Sequence, residues 1–148
     1  MTDFRTQQVK AFKKLLAHQP KTSGTDVPER FLLQFVLFEA TVRLVGRYYR
    51  ERNGEQKKSN GHTSLDIGVV KNSFEYFRIH ISGERLNLLL NSKLIKRGEK
   101  SARNLRNGLA HQWKAEDVKE VTDRYVALSN ALIAVIAAIN ARIDGAMK

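Results

Sequence analysis

Read for the spacing of its apolar positions, the chain resolves into helical segments, with no alternating β-pattern of any length and no internal repeat. Phe4 to His18 carries Val9, Phe12 and Leu16 at helical intervals, which predicts a short amphipathic helix. Gln19-Pro20 ends it, because the residue before proline is pushed out of the α region. Lys21 to Thr25 is a polar connection. Asp26-Val27-Pro28-Glu29 then reads as a helix start: Asp26 can cap, Glu29 follows three residues on, and proline is tolerated in a first turn. That helix should run to about Arg52, where Asn53-Gly54 stops it. One apolar stripe is Phe31, Phe35, Phe38, Val42, Val45 and Tyr49; a second is Leu33, Leu37, Ala40, Leu44 and Tyr48. A helix apolar on two faces is packed on two sides, so it belongs at the centre.

The third face of the same helix turns from apolar to basic: Leu32, Val36, Glu39, Arg43, Arg47, Arg50. Glu39 and Arg43 are four apart and can pair on the surface. Glu51 to His62 is rich in Lys, Asn and Gly and reads as a loop carrying Lys57 and Lys58. Thr63 to Asp66 offers another helix start, followed by Ile67, Val70, Phe74, Phe77 and Ile81 at helical spacing. Ser82-Gly83 should break or kink that helix. A leucine-rich turn or two follows, with Leu86, Leu89, Leu90 and Leu94, until Gly98. After Trp113, Glu116 and Asp117 put negative charge in a first helical turn, where the dipole favours it. No convincing N-cap precedes them. Val118, Val121, Tyr125, Leu128, Leu132, Val135 and Ile139 then alternate three and four apart, the spacing of a bundle seam. The expectation is an all-α bundle of about five helices in one domain over residues 1–148: an N-terminal helix and linker over 1–25 and a core bundle over 26–148.

Charge changes the picture. Lys and Arg number 26 against 15 acids, a formal net charge of +11. That excess favours a polyanionic partner such as nucleic acid. The steepest asymmetry lies from Lys93 to Arg106, where Lys93, Lys96, Arg97, Lys100, Arg103 and Arg106 face only Glu99. There is no cysteine, so disulfides, thiolate nucleophiles and Cys-based zinc sites are excluded. His18, His62 and His80 show no ligand spacing, so no metal is expected. No secretory signal is visible after Met1. The longest apolar run, Ala131 to Ile139, is about half of what a membrane span requires. The default is a cytoplasmic protein with no cofactor.

The candidate chemistry sits in Leu105-Arg106-Asn107-Gly108-Leu109-Ala110-His111-Gln112-Trp113. Imidazole titrates near neutrality and can take or return a proton. Guanidinium stays charged and binds phosphate bidentately. On a straight helix, Arg106 and His111 point about 140° apart. Either the helix ends between them, which Gly108 eases, or the two groups meet across two chains. Leu105 and Leu109 face the core in both cases. By spacing alone, such a pair more often caps a helix or faces solvent than catalyses. Trp113 reads first as a core or interface plug and second as a base-stacking ring. Tyr48, Tyr49, Tyr76 and Tyr125 sit at core periodicity.

Arg106-Asn107-Gly108-Leu109-Ala110-His111, late in a small helical chain, resembles the signature of the HEPN superfamily. That signature is an arginine, a polar residue that is usually Asn, Asp or His, a few residues, then histidine. The long helix from Glu29, with Glu39 amid its stripes, is similar to an earlier core helix of that family. The likeness spans about Glu29 to Ile143, and departs at Gln112, where a glycine commonly follows the histidine. The resemblance implies a bundle that dimerises and brings two copies of the motif to one composite cleft. Many members are metal-independent endoribonucleases of toxin–antitoxin, anti-phage and CRISPR-linked systems. Others bind RNA, nucleotide or protein without cutting, or partner nucleotidyltransferases. Carried over, Arg106 and His111 are the catalytic pair, Asn107 shapes the site, and Glu39 orients Arg106. Lys93, Lys96, Arg97, Lys100 and Arg103, with Arg43 and Arg47, would line the approach of the RNA backbone.

Overall fold

The computed structural model describes residues 27–53, 65–91 and 98–143, and all regular structure among them is helical. The expected helix over Phe4 to His18, the cap Asp26, the loop lysines Lys57 and Lys58, and Lys93, Lys96 and Arg97 lie outside the described residues. Helix α1 is Val27–Arg52, α2 is Ile67–Tyr76, α3 is Gly83–Leu90, α4 is Ala102–His111 and α5 is Ala115–Ile143.

The core lies between the two long helices. Phe31, Phe35, Phe38 and Val45 of α1 and Val121, Leu128, Leu132, Val135 and Ile139 of α5 are fully buried. In the first half of each, Gln34 Nε2 donates to the Tyr125 hydroxyl at 3.0 Å inside the core. At the far end, Arg142 of α5 donates to the Phe77 carbonyl at 3.1 Å, and Arg52 of α1 lies over the Phe77 ring. The two long helices therefore run in the same direction. The second stripe of α1 is covered at Leu37 and Leu44, but Leu33 is 59 % exposed, so two-sided packing does not reach its first turns. By length and composition α5 would suffice to cross a membrane. Counting only the uninterrupted run from Ala131 to Ile139 understates it. In the bundle its apolar seam is the core, and its first third carries Glu116, Asp117, Lys119, Glu120, Asp123 and Arg124.

The short helices depart from the pattern where caps intervene. Asp66 caps α2 by accepting from Gly68 N at 3.0 Å and Val69 N at 3.3 Å. The apolar spacing points on to Ile81, yet α2 stops at Tyr76. Ile79 N bonds to Phe74 O and Arg78 N to Glu75 O, the paired bonds of a left-handed helix stop. Arg78 occupies the left-handed position, φ 58°, where glycine is favoured. An L-residue there costs roughly 1–2 kcal/mol. Ser82-Gly83 is then a start and not a break: the Ser82 hydroxyl caps α3 by accepting from Arg85 N at 3.2 Å. Ser101 caps α4 the same way through Asn104 N, and donates its own proton to the Asn91 carbonyl at 2.6 Å. That second bond anchors α4 to the end of α3. Helix α4 packs on α1, α3 and α5 together, with Ala102, Leu105 and Leu109 buried.

Candidate functional site

Helix α4 carries the Arg106-to-His111 segment without interruption. Gly108 does not end the helix. Its role is close approach: a Cβ at Gly108 would lie 3.0 Å from Asp117 Cγ and closer still to Oδ2. Asp117 is not a solvated first-turn acid either, being only 1 % exposed. Its Oδ1 accepts from Lys100 Nζ at 2.7 Å, while Oδ2 lies against Gly108 with no hydrogen-bond partner among the described residues. The hydrogen bond from Asp117 holds the Lys100 ammonium above its ordinary pKa, against the opposing effect of burial. Nothing in the sequence pattern marks this contact, because an acid at the start of a helix already has an ordinary explanation. A second tie crosses beside it. Glu120 accepts from Lys100 N at 2.9 Å and pairs with Arg124, which donates to the Lys100 carbonyl at 2.8 Å. The backbone entering α4 is thus clamped to α5.

Arg106 faces α1. Its Nη1 lies 3.1 Å from Glu39 Oε1, and its guanidinium carbon sits 5.0 Å from the centre of the Phe35 ring. The other Glu39 oxygen takes Arg43, at 3.1 Å from both Nε and Nη2. One carboxylate between two guanidiniums fixes both of them. Arg106 keeps about a quarter of its side chain exposed, and its buried Nε has no hydrogen-bond partner among the described residues. Phe35 is fully buried, so the ring under Arg106 cannot swing away without opening the core. Such a cation over an aromatic face contributes about 0.5–2 kcal/mol of positioning.

His111 is the last residue of α4 and is exposed, and Asn107 is half-buried on the same helix. Since α4 stays helical from Arg106 to His111, their directions diverge by about 140° within one copy. Gln112 N and Trp113 N both donate to Gly108 O at 3.0 Å, which closes the helix. Trp113 has φ 51° and is 44 % exposed, so it is not a core plug. Among the tyrosines, Tyr125 is in the core, whereas Tyr76 is 48 % exposed.

The expected phosphate-binding bases are unequal. Lys100 is held by Asp117, and Arg103 donates to the Leu65 carbonyl at 3.4 Å. Arg43 is on Glu39, while Arg47 is exposed on α1. Among the described residues, no three His, Asp or Glu side chains gather as a metal site would require. No protein-family model, curated protein or solved structure matches the chain.

Proposed function

We propose that this chain is a HEPN-like, metal-independent endoribonuclease that acts as a homodimer. In this reading each cleavage site takes Arg106 from one copy and His111 from the other. The observation that carries it is the clamp on Arg106: a Glu39 ion pair at 3.1 Å and a buried aromatic ring at 5.0 Å hold the guanidinium in place. A charge fixed before substrate arrives needs little reorganisation during the reaction. The divergence of Arg106 and His111 along α4 supports sharing between copies, as a two-fold axis would pair each with its counterpart.

The chemistry follows from the two groups. His111 removes the proton of an RNA 2′-hydroxyl, and that oxygen attacks the adjacent phosphorus. Charge building on the non-bridging oxygens is met by Arg106, and Asn107 borders the same position. The bond from phosphorus to the 5′-oxygen breaks, and that oxygen is protonated as it leaves. The products are a 2′,3′-cyclic phosphate and a free 5′-hydroxyl. DNA has no 2′-hydroxyl and stays intact. Toxin–antitoxin or anti-phage roles, with an antitoxin or a nucleotidyltransferase as partner, belong to the same reading.

One observation favours a second reading, a non-cutting HEPN-like module that binds RNA, nucleotide or protein. Glu39 already neutralises part of the Arg106 charge, and Lys100 is tied to Asp117. Incubation of mixed RNA with wild type, Arg106→Ala and His111→Ala in EDTA separates the two. The enzyme reading requires cleavage by wild type alone, with cyclic-phosphate ends. Binding without cleavage by wild type selects the second reading. Light scattering that gives a monomer at high micromolar concentration overturns the shared site.

A further inference from the structure

The back of α5 is a face that the bundle leaves open. Leu128, Leu132, Val135 and Ile139 are fully buried in the core. On the opposite side of the helix lie Val126, Asn130, Ile133, Ala134, Ala137 and Ala141, within about 100° of one another at 3.6 residues per turn. Val126, Asn130, Ala137 and Ala141 are exposed, and Ile133 and Ala134 are half-buried. Only 44 % of the most apolar stretch of α5 is buried. The exposed side of a helix ordinarily carries its charges. This side does so two turns earlier, where Lys119 Nζ lies 2.7 Å from Asp123 Oδ2. From Val126 to Ala141 there is no charged residue at all, over a length of about 22 Å.

The residues of this face say what covers it. A lipid surface is gripped by bulky side chains flanked by bases, whereas half of this face is alanine and none of it is basic. Residues 4–18 of the same chain would bring Phe4 and Phe12, but also Arg5, Lys10, Lys13 and Lys14, for which the face has no acid. A second copy fits. Two chains of net charge +11 repel each other, and here they can touch without stacking like charges. The face is also its own complement. Set against itself in reverse, it places Val126 opposite Ala141, Asn130 opposite Ala137 and Ile133 opposite Ala134, each time a larger side chain against a methyl group. A two-fold axis crossing the helix between Ile133 and Ala134 makes all of these pairs at once. We infer that two copies pair back to back through antiparallel α5 helices. This contact is separate from the one proposed to share Arg106 and His111, because Arg106 faces Glu39 of α1. Where both form, dimers join into larger assemblies. One helix face offers less than the roughly 800 Å² per copy of a standard interface, so the pairing is weak and concentration-dependent.

Light scattering across the micromolar range tests it. Wild-type mass should rise with concentration. Ala137→Glu and Ala137→Lys, of opposite sign, should each show half the wild-type mass at the top of the range, because either strands an unpaired charge in the contact. Both should melt as wild type does at low concentration, since Ala137 is exposed, so misfolding cannot explain the loss. The chain has no cysteine, which makes the register testable. Mild oxidation should link the double variant Asn130→Cys/Ala137→Cys into dimers, and each single variant far less. The inference is overturned if the Ala137 variants keep the wild-type mass, or if a single cysteine links as well as the pair. It is also overturned if wild type but not Ala137→Glu floats with phosphatidylcholine vesicles, which assigns the face to a membrane. Protection of Ala137→Cys from a maleimide at nanomolar protein overturns it too, by assigning the cover to the same chain. RNA cleavage should survive both Ala137 charge variants, so this pairing and the shared cleavage site fail separately.

Discussion

Gly108→Ala should destabilise this protein, against the usual sign for glycine inside a helix. Alanine in place of glycine ordinarily gains about 1 kcal/mol from helix propensity. Here the new methyl group meets the Asp117 carboxylate, with Cγ 3.0 Å away and Oδ2 nearer. Asp117 has no open space to swing into, being 1 % exposed, and its other oxygen is fixed on Lys100. Overpacking of this kind costs about 1–3 kcal/mol. Weakening the charge-assisted bond to Lys100 adds about 1–3 kcal/mol. After the propensity gain, a net loss of about 1–5 kcal/mol remains, near 3 at the centre. For a chain of this size that lowers Tm by roughly 9 °C. Circular dichroism at 222 nm during thermal and urea unfolding measures it. Repeating the substitution in an Asp117→Ala background removes the obstacle, so there the alanine should be neutral or stabilising. The gap between the two backgrounds should reach at least about 1 kcal/mol of coupling. A single Gly108→Ala variant that melts at or above wild type would refute the argument outright.

Three other outcomes follow from the same contacts. Lys100→Met should be destabilising at neutral pH because it strands the buried Asp117 carboxylate. The Lys100 pKa is raised in the folded state, so its stabilisation is complete below its ordinary value of about 10.5 and is lost as pH climbs through the folded value. The urea midpoints of wild type and Lys100→Met should therefore converge in that alkaline window, and a constant gap would count against the pairing. Glu39→Gln should leave the unfolding free energy within about 1 kcal/mol of wild type, since the pair is partly solvated, yet reduce RNA cleavage about tenfold or more by loosening Arg106; unchanged cleavage would show that the clamp positions nothing. Trp113 is the only tryptophan in the chain and is nearly half exposed. Non-cleavable 2′-O-methyl RNA should quench its fluorescence, and less so as salt rises, whereas quenching on raising protein concentration without RNA would assign it to the contact between copies.

The long helices were legible because their apolar periodicity persists for many turns. The stripes Phe31 to Val45 and Val121 to Ile139 each mark a buried face, and the core lies between them. The short helices were not, because their ends are set by hydrogen bonds and not by hydrophobicity. Ile81 keeps helical spacing with Phe74, but an arginine in a position that glycine favours ends α2 before it. Ser-Gly looks like a break until the serine is found capping the next helix. At the candidate site, the meeting of Arg106 with Glu39 was implied by resemblance, and the two lie in contact. The Gly108–Asp117 contact had no signal, since a nine-residue separation across a turn says nothing about which carboxylate folds inward. The exposure of Trp113 carries no sequence signal for a similar reason: its backbone is left-handed, φ 51°, and residue size does not disclose that.

That α1 and α5 lie side by side in one sense has a consequence for how the molecule comes together. Gln34 and Tyr125 are 91 residues apart in sequence, and the largest apolar interface is built from partners that distant. Bundles of neighbouring antiparallel hairpins collapse locally and fast; here a large stretch of chain must be closed before the phenylalanines of α1 find cover. During synthesis those rings lack their α5 cover until the last helix has emerged, and exposed apolar surface of that kind is prone to association in the interval.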